Sequence, residues 1–255
     1  MKRVLFSLIF TMAAYGHAWA VSIDEARQLL NDGLYDEAIS MAQQMETAES
    51  LTLAAETLSA KVMLGYVDDL NDSARQARRW AQEAVMLAPQ SREAQVQYAL
   101  AYGFETRTSS PFRAWRKKLP EKTLAAIMHV RTHYPEDPRG DALLGAWHLG
   151  IVRKAGSKNG RKWYNASEVE GIDWYESALI SNPDDIVVAG NFAITILGLN
   201  REKYASRARD IITDMQLITP KNAVELEVKN RMVGLLDKFD DEAALDMAIA
   251  ELLDE

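Results

Sequence analysis

The sequence contains no cysteine and little proline or glycine, with 7 and 13 among its 255 residues. The absence of cysteine excludes disulfide bonds, thiolate metal sites, a thiol nucleophile and lipid attachment to an N-terminal cysteine. Basic residues are also in the minority, since 29 Lys and Arg stand against 37 Asp and Glu. This acidic balance argues against general nucleic-acid binding, and we expect no nucleic-acid partner.

Motifs for catalysis are missing as well. The sequence has no Gly-x-Ser-x-Gly, no glycine-rich phosphate-binding or dinucleotide-binding loop, and no His-Glu-x-x-His zinc motif. His129 and His133 are spaced to share one face of a helix, but no carboxylate at the next turn completes a set of metal ligands. We therefore predict that the protein is not an enzyme and that it holds no cofactor or metal.

The N-terminus has the three parts of a secretory signal peptide. Two basic residues at positions 2–3 precede an apolar run over residues 4–15, and a pattern of small residues ends at Ala20. A membrane anchor is the alternative, but spanning a bilayer takes roughly 20 apolar residues and this run is shorter. We expect residues 1–20 to be cleaved off after Ala20, and residues 21–255 to form a single domain in a bacterial periplasm.

Small and apolar residues after the N-terminal run recur with the spacing of amphipathic helices. Ala74, Ala77, Ala81 and Ala84, for example, are three or four positions apart and share one helical face. The strict alternation that is typical of β-strands is absent. The sequence therefore predicts an all-α fold.

Four of the seven prolines follow such helical segments, at Pro89, Pro135, Pro183 and Pro220. Because proline does not continue a helix, each of them marks a predicted helix end. The residue twelve positions before each proline is small enough to let two helices approach closely. These four residues are Ala77, Thr123, Gly171 and Ala208.

These features resemble the tetratricopeptide-repeat (TPR) family, in which about 34 residues form each helix-turn-helix repeat. Leu144-Gly145-x-x-His148 is similar to the Leu-Gly-x-x-Tyr of a first repeat helix, and the segment 33–39 resembles the turn into a second. The resemblance implies a right-handed α-solenoid of TPR-like antiparallel helix hairpins, with a C-terminal capping helix over residues 240–253. The spacings between the four prolines are longer than the roughly 34 residues of one repeat, which indicates that some hairpins contain insertions.

Two of the predicted insertions are basic and aromatic. Residues 105–122 hold six basic against two acidic residues, and residues 153–168 hold five against one. Because equivalent insertions emerge along one edge of a solenoid, we expect a common surface, named here the basic rim. The basic rim consists of Arg113, Trp115, Arg116, Lys117, Lys118, Arg161, Lys162 and Trp163. It either contacts an anionic surface or lipid, an acidic protein segment or a negatively charged envelope polymer, or it pairs internally with acidic residues such as Asp68, Asp69 and Asp72.

The concave surface is the usual binding surface of a TPR array, and the resemblance places a protein or peptide partner there. We predict partner contacts from Tyr98, Trp147, His148 and Asn191. Trp147 offers a large rigid apolar contact, and Asn191 places a polar amide in an apolar helix. In the alternative, Trp147 fills the seam between two hairpins and Asn191 bonds to neighbouring backbone.

Together these patterns favour a non-catalytic periplasmic TPR-type adaptor or scaffold that binds another protein. The alternative function is a solute- or lipid-handling accessory component of an envelope transport system, with an apolar cavity inside the solenoid.

Overall fold

The computed structural model describes residues 22–253, and these residues form fourteen α-helices and no β-strand. The predicted all-α fold is therefore confirmed, whereas the predicted signal peptide lies outside the described residues. The helices are α1 (Ile23–Asn31), α2 (Tyr35–Gln43), α3 (Ala48–Met63), α4 (Leu70–Leu87), α5 (Arg92–Thr108), α6 (Pro111–Lys117), α7 (Leu119–His133), α8 (Arg139–Ala155), α9 (Ser157–Tyr164), α10 (Glu168–Ser181), α11 (Ile186–Leu199), α12 (Arg201–Met215), α13 (Ala223–Leu236) and α14 (Glu242–Leu253).

Polar caps and prolines set the helix boundaries. Thr47 and Ser50 form a reciprocal capping box at the start of α3, which satisfies backbone N–H groups that have no partner within the helix. Helices α4, α7 and α10 end two residues before Pro89, Pro135 and Pro183, as predicted. Helix α12 instead ends at Met215, five residues before its proline, because the chain passes through a further turn first.

The helices alternate between two rows. Helices α1, α3, α5, α8, α11 and α13 pack on one another in that order, and we call them the first row. Helices α2, α4, α7, α10 and α12 form the second row, and each packs between two successive first-row helices. Helix α14 packs on α11.

The small residues predicted at the helix crossings lie in the interior. Ala77, Thr123 and Ala208 are each at most 3% exposed. A Cβ atom on Gly171 of α10 would lie 2.6 Å from the Leu149 side chain of α8, so only glycine fits at this crossing.

The two ends of the first row meet, since α1 contacts α13. Gly33 follows α1 with a φ of 82°, and a Cβ atom there would lie 3.1 Å from Cβ of Ala223 at the start of α13. Further in, the side-chain amide of Asn191 lies 3.6 Å from the sulfur of Met63, which is 128 residues away in sequence. The first-row helices therefore enclose a packed centre.

The short helices α6 and α9 are additions to the two-row pattern. Helix α6 lies in the connection from α5 to α7, and α9 lies in the connection from α8 to α10. Each connection thus joins the end of a first-row helix to the start of a second-row helix, which is where the insertions were predicted.

Candidate functional site

Trp147 of α8 faces the second row and lies in the protein interior. Its side chain is 6% exposed and belongs to a hydrophobic cluster with Val96, Ile127 and Leu144. The indole N–H donates a hydrogen bond to the carbonyl oxygen of Pro120, 2.9 Å away, in the first turn of α7. This is the geometry of the packing alternative, although one edge of Trp147 also reaches a surface cleft described below.

His148 orients the start of α10. Its Nδ1 accepts a hydrogen bond from the backbone N–H of Ser167 at 3.1 Å, and Glu170 lies 3.5 Å from the same atom. Burial lowers the pKa of His148, and the nearby Glu170 carboxylate only partly offsets this. The imidazole therefore accepts a hydrogen bond in its neutral form, and it is 8% exposed.

Tyr98 and Asn191 lie in two other parts of the molecule. The ring of Tyr98 packs edge-on against Tyr102 with centroids 5.0 Å apart, and burial raises its pKa to about 12. Asn191 is half-buried, and its side-chain amide donates a hydrogen bond to the backbone oxygen of Val187 at 2.9 Å. Trp147 and His148 lie together, with ring centroids 5.1 Å apart, and the role of all four predicted groove residues in partner binding stays a prediction.

The basic rim begins on α6. Ser110 caps this helix and Pro111 occupies its first turn, which suits the fixed φ angle of proline. Phe112 and Trp115 are 67% and 64% exposed, and their ring centroids are 6.2 Å apart. The guanidinium of Arg116 lies 5.9 Å from the centroid of the Phe112 ring. Helix α6 therefore presents an aromatic pair to solvent with a cation beside it.

Helix α9 repeats this combination. Trp163 is 67% exposed, and the ammonium group of Lys162 lies 5.0 Å from its ring centroid. Gly160 is buried against α8, where an added Cβ would lie in van der Waals contact with Ile151 at 3.5 Å. The exposed tryptophan is thus carried by a helix whose other side is packed.

None of the six basic side chains of the rim has an acidic partner within residues 22–253. These six residues are Arg113, Arg116, Lys117, Lys118, Arg161 and Lys162. Arg113 donates a hydrogen bond to the side-chain oxygen of the uncharged Asn71 at 2.8 Å. Asp69 instead caps α4, and Asp72 pairs with Arg75. The structure therefore does not contain the internal pairing of the rim with Asp69 or Asp72.

A surface cleft of about 700 Å³ separates α7 from α9. Leu124 and Met128 of α7 line one wall, Trp163 and Tyr164 line the other, and Trp147 contributes to the lining from α8. Arg161 and Lys162 stand on the α9 side and Glu121 on the α7 side. Burial and the Glu121 charge raise the pKa of Tyr164, so its hydroxyl stays protonated and can donate a hydrogen bond.

Sequence reasoning missed the wall formed by α7. Met128 is 41% exposed, and it stands among the apolar residues of a helix whose other side is buried. The sequence could have indicated this wall only through Met128, an apolar residue on the outer face of α7. Single exposed apolar residues are common on surface helices, so this one was not informative. A second and smaller cleft of about 390 Å³ lies beside Leu29 and Met41, on α1 and α2.

Arg139 forms a network of ion pairs that the sequence also did not reveal. Its two terminal nitrogens donate to the two carboxylate oxygens of Glu93, each at 2.9 Å, and its Nε donates to Asp137 at 2.9 Å. Burial alone raises the pKa of Glu93 and of Asp137, but the Arg139 hydrogen bonds and charge bring both below their usual values. The network ties α5 to the start of α8.

Neither a metal cluster nor a spanning helix occurs in the part of the chain that the structure describes. Residues 22–253 contain no group of three His, Asp or Glu side chains placed to hold a metal ion. His129 and His133 stack with centroids 4.0 Å apart. No helix in this range combines the length and apolar character needed to cross a bilayer. The chain matches no protein-family model and no curated protein.

Proposed function

We propose that the protein is a non-catalytic TPR-like adaptor, exported to a bacterial periplasm, that holds a segment of a partner protein. The cleft between α7 and α9 is the binding surface in this proposal. The observation that carries it is an exposed Trp163 lining a cleft opposite the apolar side chains of Leu124 and Met128. Exposed tryptophan beside a recess is typical of protein interfaces, because it contributes a large rigid contact area.

The TPR-like class is supported by the alternation of packing between two rows. Each second-row helix packs between two first-row helices, as the two helices of successive hairpins do in a repeat array. Glycine at the α8–α10 crossing and proline after α4, α7 and α10 agree with the same repeat pattern. Helices α6 and α9 are then insertions within two hairpins.

The size and lining of the cleft suit a short peptide segment. Its volume of about 700 Å³ lies within the roughly 300–1,000 Å³ that ligand sites typically occupy. Leu124 and Met128 offer an apolar wall, and methionine adapts its shape to different side chains. Arg161 and Lys162 favour a carboxylate at the α9 side, so we expect a segment that combines an apolar anchor with a nearby acidic residue.

The proposal is tested by capturing the partner from living cells. We compare wild type with Met128→Ser/Trp163→Ser, which removes an apolar contact from each wall, after chemical crosslinking and mass spectrometry. Ile180→Ser is the matched control, because Ile180 is 82% exposed on α10 and lines neither cleft. We expect the same partner with wild type and control and its loss from the double variant.

Two outcomes contradict the proposal. Equal capture by the double variant places the partner elsewhere on the protein. An apolar small molecule that co-purifies with the wild type, together with no crosslinked polypeptide, favours the transport-accessory alternative.

A further inference from the structure

The two inserted helices start side by side at one edge of the molecule. Helix α6 follows the end of α5 and α9 follows the end of α8, and α5 and α8 are neighbours in the first row. Lys154, at the end of α8, donates a hydrogen bond to the backbone oxygen of Arg107 at the end of α5. The starting points of α6 and α9 are therefore held together.

Charge is segregated at this edge. Residues 111–118 hold four basic residues and residues 157–164 hold three, and neither segment contains an acidic residue. The rest of the chain holds 22 basic against 37 acidic residues. An anionic surface therefore attracts this edge and repels the remainder, which fixes the orientation of approach.

The same pair of groups recurs on each insertion, namely an exposed aromatic ring with a cation beside it. On α6 the pair is Phe112 with Arg116, and on α9 it is Trp163 with Lys162. Arg116 and Lys162 have no acidic partner within the described residues and are exposed. Phe112 and Trp115 are mostly exposed and line neither of the two clefts described above.

We infer that the edge formed by α6 and α9 docks on the surface of an anionic lipid bilayer. Aromatic rings partition into the interfacial region of a bilayer, where their apolar bodies and polar edges are both accommodated. Lysine and arginine keep their charged ends among the headgroups while their alkyl stems lie against apolar groups. The exposed aromatic rings and cations of this edge lie on two separate helices, which suits an extended surface that needs no shape complementarity better than it suits a folded acidic partner.

The docking edge and the cleft share Lys162 and Trp163 of α9 but not helix α6. Phe112, Trp115 and Arg116 stand outside the cleft lining, so variants of α6 separate the two proposals. Leu124 and Met128 of α7 line the opposite wall of the cleft, so a partner held there lies near the membrane.

Binding to vesicles tests the inference directly. The predicted mature chain from Val21 is mixed with phosphatidylcholine vesicles or with vesicles that also contain phosphatidylglycerol, and bound protein is measured by flotation. We expect binding only to the anionic vesicles, weakening as salt screens the charges. Each basic residue near an anionic surface strengthens binding by about fivefold, so Arg116→Glu/Lys162→Glu, which removes two of them, lowers the affinity by at least about 25-fold.

Two further variants complete the experiment. Arg79→Glu/Lys221→Glu changes the net charge by the same amount at exposed positions away from the rim, and we expect it to bind like wild type. Phe112→Ser/Trp115→Ser keeps all charges, and we expect it to lose affinity because the aromatic contact is gone. Circular dichroism checks that every variant has the helix content of wild type.

Three results overturn the inference. The first is equal binding to zwitterionic and anionic vesicles, and the second is equal loss in the rim and control charge variants. The third is rim-dependent binding of soluble polyglutamate without binding to anionic vesicles, which identifies an acidic polypeptide as the partner instead.

Discussion

The indole N–H of Trp147 donates a hydrogen bond to the carbonyl oxygen of Pro120 across 2.9 Å, and this contact joins α8 to α7. Pro120 stands in the first turn of α7, directly after the connection that contains α6. Trp147 therefore holds in place both a wall of the cleft and the base of one half of the rim.

Replacing Trp147 tests its packing role. We expect Trp147→Ala to lower the free energy of unfolding by about 3–5 kcal/mol, because it removes a buried aromatic side chain and leaves a cavity. Urea denaturation measures the change. Trp163→Ala is the matched control, and since Trp163 is 67% exposed we expect a change within about 0.5 kcal/mol. Similar losses in the two variants would contradict the packing of Trp147 described above.

Gly171 tests the close crossing of α8 and α10. An added Cβ would lie 2.6 Å from the Leu149 side chain, so we expect Gly171→Ala to destabilise the fold by about 1–3 kcal/mol. Gly103 is the control, because it also lies within a helix but no atom outside that helix approaches its Cβ position within 4 Å. We expect Gly103→Ala to stabilise by about 0.5–1 kcal/mol, as alanine does in open helical positions. Thermal denaturation that ranks the two variants the other way round would refute the crossing.

The Arg139 network predicts a specific loss of stability in acid. The pKa values of Glu93 and Asp137 are lower in the folded state than in the unfolded state, where carboxyl groups titrate near about pH 4. The folded state therefore binds protons less readily than the unfolded state. The stabilisation that Arg139 provides through these two carboxylates is present above about pH 4 and is lost as the pH falls below it.

Arg139→Met removes the cause of both shifts while keeping most of the side-chain volume. We expect this variant to be less stable than wild type at neutral pH, and the difference in unfolding free energy to shrink as the pH falls through about 4. Urea denaturation across this pH range measures the difference. A difference that stays constant with pH would show that Arg139 stabilises by packing alone.

Export predicts a processed N-terminus. If residues 1–20 form a signal peptide, the protein recovered from the periplasmic fraction begins at Val21. Intact-mass measurement and N-terminal sequencing read this directly. Ala20→Arg serves as the comparison, because a large basic residue at the cleavage site blocks processing. Recovery of the wild type with Met1 in place would contradict cleavage and favour the membrane-anchor alternative.

Local features of the fold could be predicted from the sequence, because their causes are local. Pro89, Pro135 and Pro183 mark helix ends, since proline acts on the adjacent turn whatever the tertiary structure. Ala77 and Gly171 indicate helix crossings, because small residues allow two helices to approach closely and can be identified from the sequence alone. The concentration of basic residues in two insertions could also be predicted, because it depends only on where these residues lie along the chain.

The direction in which a buried side chain points could not be predicted. Helix α8 packs against α5, α7, α10 and α11, so its buried residues cover more than one face and its periodicity is uninformative. The sequence therefore left Trp147 either on the concave surface or in the seam between two hairpins, and the structure packs it against α7. The pair of Asn191 and Met63 and the pair of Arg139 and Glu93 depend on long-range packing, which no local pattern encodes.

A photo-crosslinking amino acid at position 128 tests the central claim, partner binding in the cleft, most directly. Met128 is 41% exposed and lines the wall of α7, and Ile180 on α10, which is 82% exposed, supplies a more accessible control position outside both described clefts. After irradiation of intact cells, we predict one discrete adduct from position 128, none from position 180, and loss of the adduct when Trp163→Ser is added. Equal adducts from both positions, or an adduct that persists without Trp163, would contradict the account.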